Sequence, residues 1–210
     1  MKKNKLAIVA VGQAYIDAAN YIIANYGDEW DINVLTDHPD KINGKCEIEL
    51  HNHKVFSYFH KLLFVLRLVE KHKQPVTYVD ADRLDMFSNE FLKEFSFGPY
   101  FKILNCWPEG REFKKHYSHG QHFKPFVDYC NENHLDYDID TFSEEIFYVP
   151  YVLDICDIIY DVEKIKPIFE YQSIISRSTN PYYPNIGNAE GLALSFVLKM
   201  KNLKIVKHGS

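Results

Sequence analysis

The chain has 210 residues, with 24 Lys+Arg against 29 Asp+Glu for a net charge of −5, and is 46% hydrophobic and 25% charged. Such a composition is close to the globular average and excludes disordered, collagen-like and low-complexity chains. At roughly 150 residues per domain, the length suits one domain that buries about 70% of its unfolded surface. The mild acidity argues against a dedicated nucleic-acid binder, so no nucleic-acid partner is expected.

A basic start, Lys2, Lys3 and Lys5, precedes the apolar run Leu6–Val11. The run is shorter than the roughly 7–15 residues of a secretion signal, and no small-x-small cleavage site follows it. A first β-strand is expected instead, buried on both faces as in parallel α/β sheets and ending at Gly12. No other run approaches the roughly 20 apolar residues of a membrane span. The four cysteines, Cys46, Cys106, Cys130 and Cys156, lie far apart and match no metal-binding spacing. They read as reduced thiols of a cytoplasmic protein.

Ala14–Tyr26 carries Ala18, Ile22 and Tyr26 at helical spacing and stops at Gly27. Asp31–Thr36 reads as a second strand, closing a strand–helix–strand unit before Asp37 and the Pro39 turn. Phe56–Lys73 is the clearest helix, with Phe59, Leu62, Leu63, Leu66 and Val69 on one stripe and Lys71, His72 and Lys73 at its C-terminus. Val76–Val79 is again strand-like and runs into Asp80-Ala81-Asp82.

Beyond residue 104 the pattern weakens. Trp107–Arg111 reads as a turn, Lys114–His122 as a polar loop and Phe123–His134 as a short helix. Ile146–Val149 and Ile155–Tyr160 read as strands or core segments, Asn180–Asn185 as a loop, Gly191–Met200 as an apolar helix and Leu203–Val206 as a last strand. The alternation predicts an α/β fold with a mixed, mainly parallel sheet flanked by helices and a Rossmann-like N-terminal half.

The chemistry centres on Tyr78-Val79-Asp80-Ala81-Asp82. Two acids one residue apart, at the carboxyl end of a buried strand, lie where open α/β sheets bind ligands. On a turn both carboxylates can meet one hard divalent cation such as Mg²⁺ or Mn²⁺, which can also hold a diphosphate. The competing reading is a solvated turn with two capping acids.

The stretch from Phe56-Ser57-Tyr58-Phe59-His60-Lys61 through Tyr78-Val79-Asp80-Ala81-Asp82 resembles the nucleotide-sugar glycosyltransferases of the GT-A fold. The resemblance implies a single GT-A-like domain over 1–210, with a nucleotide-sugar-binding half over 1–104 and an acceptor-side half over 105–210. It implies that Asp80 and Asp82 hold Mn²⁺ or Mg²⁺ against the donor diphosphate, a UDP-sugar by preference. It places Val11 and Gly12 at the nucleoside, Asp37 at the base or ribose, and Tyr58, Lys61 and Ala81 around the donor. Gly12 and Asp37 also fit ordinary turn residues, and Lys61 an exposed helical lysine. The acceptor would be a hydroxyl on a glycan, a lipid-linked molecule or a protein.

By the same resemblance, His208 near the chain end is a third metal ligand; the competing reading is a frayed terminus. Glu190, opening the last helix, is a candidate base for the acceptor hydroxyl, which would imply inversion, or a residue bound to the positive end of its own helix. Glu145 is the second candidate. The Asp-Gln pair of many retaining relatives is missing, so stereochemistry stays open. His116, His119 and His122 recur every three residues, but Gly120 and their polar neighbours favour a loop over a zinc site. Two other readings stand beside the transferase. One is a nucleotide- or sugar-binding relative without catalysis. The other, ranked lower because Leu84 stands where Thr or Val is usual, is a haloacid-dehalogenase-like phosphatase.

Overall fold

The computed structural model describes residues 3–53, 56–83, 88–104, 111–112, 123–141, 143–179 and 189–208. The chain forms two compact units, Met1–Lys102 with Glu145–Ile155, and Ile103–Glu144 with Cys156–Ser210.

The first unit contains β1 (Asn4–Ala10), α1 (Gln13–Tyr26), β2 (Trp30–Thr36), β3 (Glu47–Leu50), α2 (Tyr58–His72), β4 (Val76–Val79), α3 (Asn89–Phe95) and the start of β5 (Phe101–Leu104). After β6 (Arg111–Glu112), α4 (Lys124–Glu132) and β7 (Asp140–Thr141), which belong to the second unit, it is completed by most of β8 (Ser143–Val149). Its strands lie in the order β3-β2-β1-β4-β8-β5. β1 pairs in parallel with β2 from Asn4↔Trp30 to Ala10↔Thr36 and with β4 from Lys5↔Val76 to Ala7↔Tyr78. β3 extends β2 in parallel, while β8 runs antiparallel to β4. The unit is therefore α/β with a mixed, mainly parallel sheet.

Burial explains why these runs become strands. Leu6, Ala7, Ile8 and Ala10 are fully buried, and all four residues of β4 are buried. Helices cover both faces of such strands, so no alternation with polar residues is needed. On α1 the buried positions are Ile16, Ala19, Ile22 and Ile23, a stripe turned by about one residue from the Ala18–Ile22–Tyr26 spacing. α2 starts at Tyr58 because Ser57 caps it, accepting from the Phe59 amide while His60 Nδ1 accepts from the Ser57 amide. Such a reciprocal cap satisfies donors that a helix start otherwise leaves open.

The second unit adds α5 (Ile155–Thr179), α6 (Ala189–Met200) and β9 (Ile205–His208) to β6, α4 and β7. β6 and β7 pair antiparallel, Arg111 opposite Thr141. Phe126 of α4 meets Phe169 of α5 at 4.8 Å and Phe196 of α6 at 5.1 Å between ring centres. The expected strand or core segment at Ile155–Tyr160 is instead the beginning of α5. Ile155, Ile158, Val162, Ile165 and Phe169 are all buried, a helical spacing that six residues alone do not reveal. β3, α3 and β5 are elements without a counterpart in the sequence reading. The polar loop at Lys114–His122, its histidines and the loop at Asn180–Asn185 lie outside the described residues, as does most of the Trp107–Arg111 turn.

Among the described residues no helix is long and apolar enough to cross a membrane. Cys46, Cys130 and Cys156 are free thiols, and Cys106 lies outside the described residues.

Candidate functional site

The strand order of the first unit reverses direction between β1 and β4. The chain passes from β1 outward to β2 and β3, then returns to lay β4 on the other side of β1. A crevice forms at the carboxyl ends of the strands where such an order switches. Val11 and Gly12 follow β1, Asp37 follows β2, and Asp80-Ala81-Asp82 follows β4.

Gly12 has φ 91° and ψ 153°, a backbone region that essentially only glycine occupies. A Cβ built there would meet nothing within 4 Å, so the space beside it is open. Its amide donates to Asp37 Oδ1 at 3.2 Å, tying the ends of β1 and β2 together. Its carbonyl accepts from the amides of Tyr15 and Ile16, both at 3.1 Å, which starts α1. No side chain caps that helix start and no acid sits in its first turn. The carboxylate of Asp37, bound to the N-cap amide, is the negative charge at this positive dipole end.

The Asp80 turn is built from both sides. The Asp80 amide donates to the Glu145 carbonyl at 2.8 Å, and the Arg83 amide donates back to the Asp80 carbonyl at 2.9 Å. Two donors converge on one carboxylate oxygen of Asp80: Tyr78 Oη at 2.5 Å and Lys61 Nζ at 3.5 Å, both to Oδ1. Lys61 is only 4% exposed, so it is not the exposed helical lysine that the sequence also allowed. Its ammonium lies 5.3 Å from the ring centre of Tyr58 and 5.2 Å from that of Tyr78. Aromatic faces and a half-buried carboxylate together make burying that cation tolerable. Ala81 is buried, and Asp82 is exposed on the same turn.

Tyr15, on the first turn of α1, belongs to the same neighbourhood. Burial, then the negative charge of Asp82, then Tyr58 and Asp80 push its phenol up, while Lys61 opposes them. Its side chain is half-exposed. The sequence reading passed over Tyr15 and treated Tyr78 only as a strand residue. The available signals were positional: Tyr15 follows Gly12 by one helical turn, and Tyr78 shares a strand face with Asp80.

Val11, Gly12, Asp37, Tyr58, Lys61, Asp80, Ala81 and Asp82 thus all belong to the first unit. Glu145 is there too, beside the Asp80 turn, with Oε1 at 3.5 Å from Arg83 Nε. Glu190 lies in the second unit, on the first turn of α6 and 2% exposed. His208, at the end of β9, is also in the second unit. Among the described residues no group of three His, Cys, Asp or Glu side chains is arranged to hold a metal ion.

Near the end of β2, His51, His53 and His60 form a ring cluster. His53 stacks on His60 at 4.2 Å between centres. His60 Nδ1 accepts from the Ser57 amide, so the 2.9 Å contact with His51 Nε2 requires His51 to be the donor. Burial and the neighbouring His53 hold the His51 pKa below its usual value, against the pull of Asp37.

No family model matches the sequence, and no curated protein sequence matches it. Among solved structures, the apo crystal structure of mouse xyloside xylosyltransferase 1 is similar at a TM-score of 0.36 and 11% identity, over 96% of this chain and 82% of that one. That neighbour is a glycosyltransferase by its name. At this depth a likeness identifies neither a family nor an activity, and the chain's own residues carry the reading that follows.

Proposed function

We propose that the first unit binds a nucleoside diphosphate sugar and that the protein transfers the sugar to a hydroxyl acceptor with Mn²⁺ or Mg²⁺. One observation carries this: Gly12, Asp37 and Asp80-Ala81-Asp82 stand at the carboxyl ends of β1, β2 and β4, adjacent parallel strands whose order switches between β1 and β4. Uridine as the nucleoside rests on the resemblance of the Phe56–Asp82 stretch to GT-A enzymes.

The donor set fits a hard divalent ion. Tyr78 and Lys61 both engage Oδ1 of Asp80, which leaves Oδ2 without a partner among the described residues, and Asp82 is exposed on the same turn. Carboxylate oxygens are what Mg²⁺ and Mn²⁺ take. A bound cation would offset the charge that develops on the leaving diphosphate. Tyr78 and Lys61 hold the Asp80 carboxylate in one orientation, so it need not be ordered when a ligand arrives. Gly12 leaves open space for the ligand backbone beside the start of α1. Glu145, whose carbonyl accepts from the Asp80 amide, is the candidate base of this unit for the acceptor hydroxyl.

The test is release of UDP from UDP-sugars with and without Mn²⁺. Wild-type protein is expected to release UDP only with metal, and Asp82→Ala to lose at least about a hundredfold of that rate. Metal-dependent UDP binding with no turnover on any sugar would instead identify a binding protein. Hydrolysis of simple phosphate esters without nucleotide would favour the phosphatase reading and overturn the proposal.

A further inference from the structure

The second unit contains a cavity of about 290 Å³, lined by none of the residues of the candidate site above. Ser195 and Lys199 of α6 line it, one helical turn apart, with Asn202 and Leu203 from the turn that follows and Asp138 and Ile139 from the approach to β7. Ser195 and Ile139 are buried, whereas Lys199, Asn202 and Asp138 are exposed. The cavity therefore has buried walls at Ser195 and Ile139 and a polar, exposed rim. Its volume far exceeds the roughly 10–15 Å³ that houses one water molecule.

Two features define what it would take. The first is Ser195 Oγ, on a side chain 4% exposed, which has no hydrogen-bond partner among the described residues. A serine inside a helix commonly bonds back to the preceding turn, and a buried hydroxyl left unmet costs stability that an alanine would not. Its neighbours on α6, from Gly191 to Leu198, are otherwise apolar, which makes this hydroxyl conspicuous. The second feature is the state of Lys199. Its ammonium donates to Asp136 Oδ2 and to the Asp138 carbonyl, both at 2.6 Å. The cation is neutralised and held in place, so the rim offers no free positive charge for an anion.

An unmet hydroxyl, an exposed amide at Asn202 and aliphatic walls at Ile139 and Leu203 match a ligand with an apolar face and several hydroxyls. We propose that this cavity binds a neutral polyhydroxylated molecule of monosaccharide size, with Ser195 Oγ as its buried hydrogen-bond partner. The proposal stands independently of the chemistry at Asp80 and Asp82.

The experiment is saturation-transfer NMR on the full chain with D-glucose, D-xylose and myo-inositol as neutral probes and D-glucuronate as the charged control. At least one neutral probe is expected to bind saturably and the control not to. Ser195→Ala is expected to weaken that binding about tenfold or more while leaving the melting temperature equal or higher, since it removes an unmet buried hydroxyl. Leu203→Trp, which fills the cavity from its side, is expected to abolish binding and covers the case in which Ser195→Ala folds poorly. Neither variant should change Mn²⁺–UDP binding, which keeps this test separate from the one above. The proposal is overturned if no neutral probe binds saturably, if both variants bind like wild type, or if binding is lost in Asp82→Ala instead.

Discussion

Replacing Gly12 by alanine tests the local geometry of the first unit at its most constrained point. At φ 91° and ψ 153° the backbone is in a region that penalises any residue with a Cβ, by about 1–3 kcal/mol. Crowding adds nothing, because the new methyl group would meet no atom within 4 Å. With a urea slope of about 2 kcal/mol/M, Gly12→Ala should lower the unfolding midpoint by about 0.5–1.5 M without changing the slope. Gly12→Ser should cost nearly the same, since only the Cβ matters. Gly44 is an internal contrast: it has φ 99°, and an added Cβ would come within 2.6 Å of Ile23 Cγ2. Gly44→Ala should therefore cost more than Gly12→Ala. A Gly12→Ala midpoint equal to wild type, or a Gly44→Ala cost smaller than it, would refute the strain argument. If the open space beside Gly12 admits the donor, the same methyl group should also weaken nucleotide binding.

Two further expectations concern titration and thiol chemistry. His51 is held neutral by burial and by His53, and His72 by burial and by Lys5, with Asp37 and Glu47 respectively opposing. Both histidines bind a proton more readily when unfolded, where they titrate near about 6.5. The stability they contribute is thus present above about pH 6.5 and lost as the pH falls below it. Urea midpoints should drop between about pH 7.5 and 5.5, and His51→Gln should flatten that drop; an unchanged slope would contradict the assignment. Burial, with a smaller push from Asp136, raises the Cys130 thiol to about 12, whereas Cys156 is exposed. Iodoacetamide at neutral pH should label Cys156 in the folded protein and Cys130 only after unfolding, as read by peptide mass mapping.

The parts of the fold legible in the sequence are those whose burial is uniform. β1 from Lys5 onward and all of β4 are buried, with apolar runs that read as strands, and α2 carries a long apolar stripe with a serine cap before it. β3 escaped because it is a sheet edge. Its sequence Glu47-Ile48-Glu49-Leu50 is largely exposed and carries no apolar run. α5 escaped because its stripe, from Ile155 to Phe169, becomes periodic only over several turns. At the candidate site, Gly12, Asp37, Asp80 and Asp82 could be named because each follows a strand that reads clearly. The arrangement around them could not be named. Glu145 reaches Asp80 only through the antiparallel pairing that sets Val79 opposite Ile146. Tyr15 approaches Asp82 only once α1 is laid against the sheet, and Lys61 meets Tyr78 only when α2 covers β4. These contacts belong to tertiary register, which leaves no mark in local spacing.

Isothermal titration of Mn²⁺ and UDP together into the protein probes the paired aspartates without requiring knowledge of the sugar or the acceptor. Wild-type protein should bind one UDP in a Mn²⁺-dependent manner, and Asp80→Asn and Asp82→Asn should each lose that binding; Asp82→Asn should melt as the wild type does, whereas Asp80→Asn, which removes the charge facing buried Lys61, should melt lower. No heat from wild type, or the same heat from either variant, would mean that this turn does not hold a metal against a diphosphate.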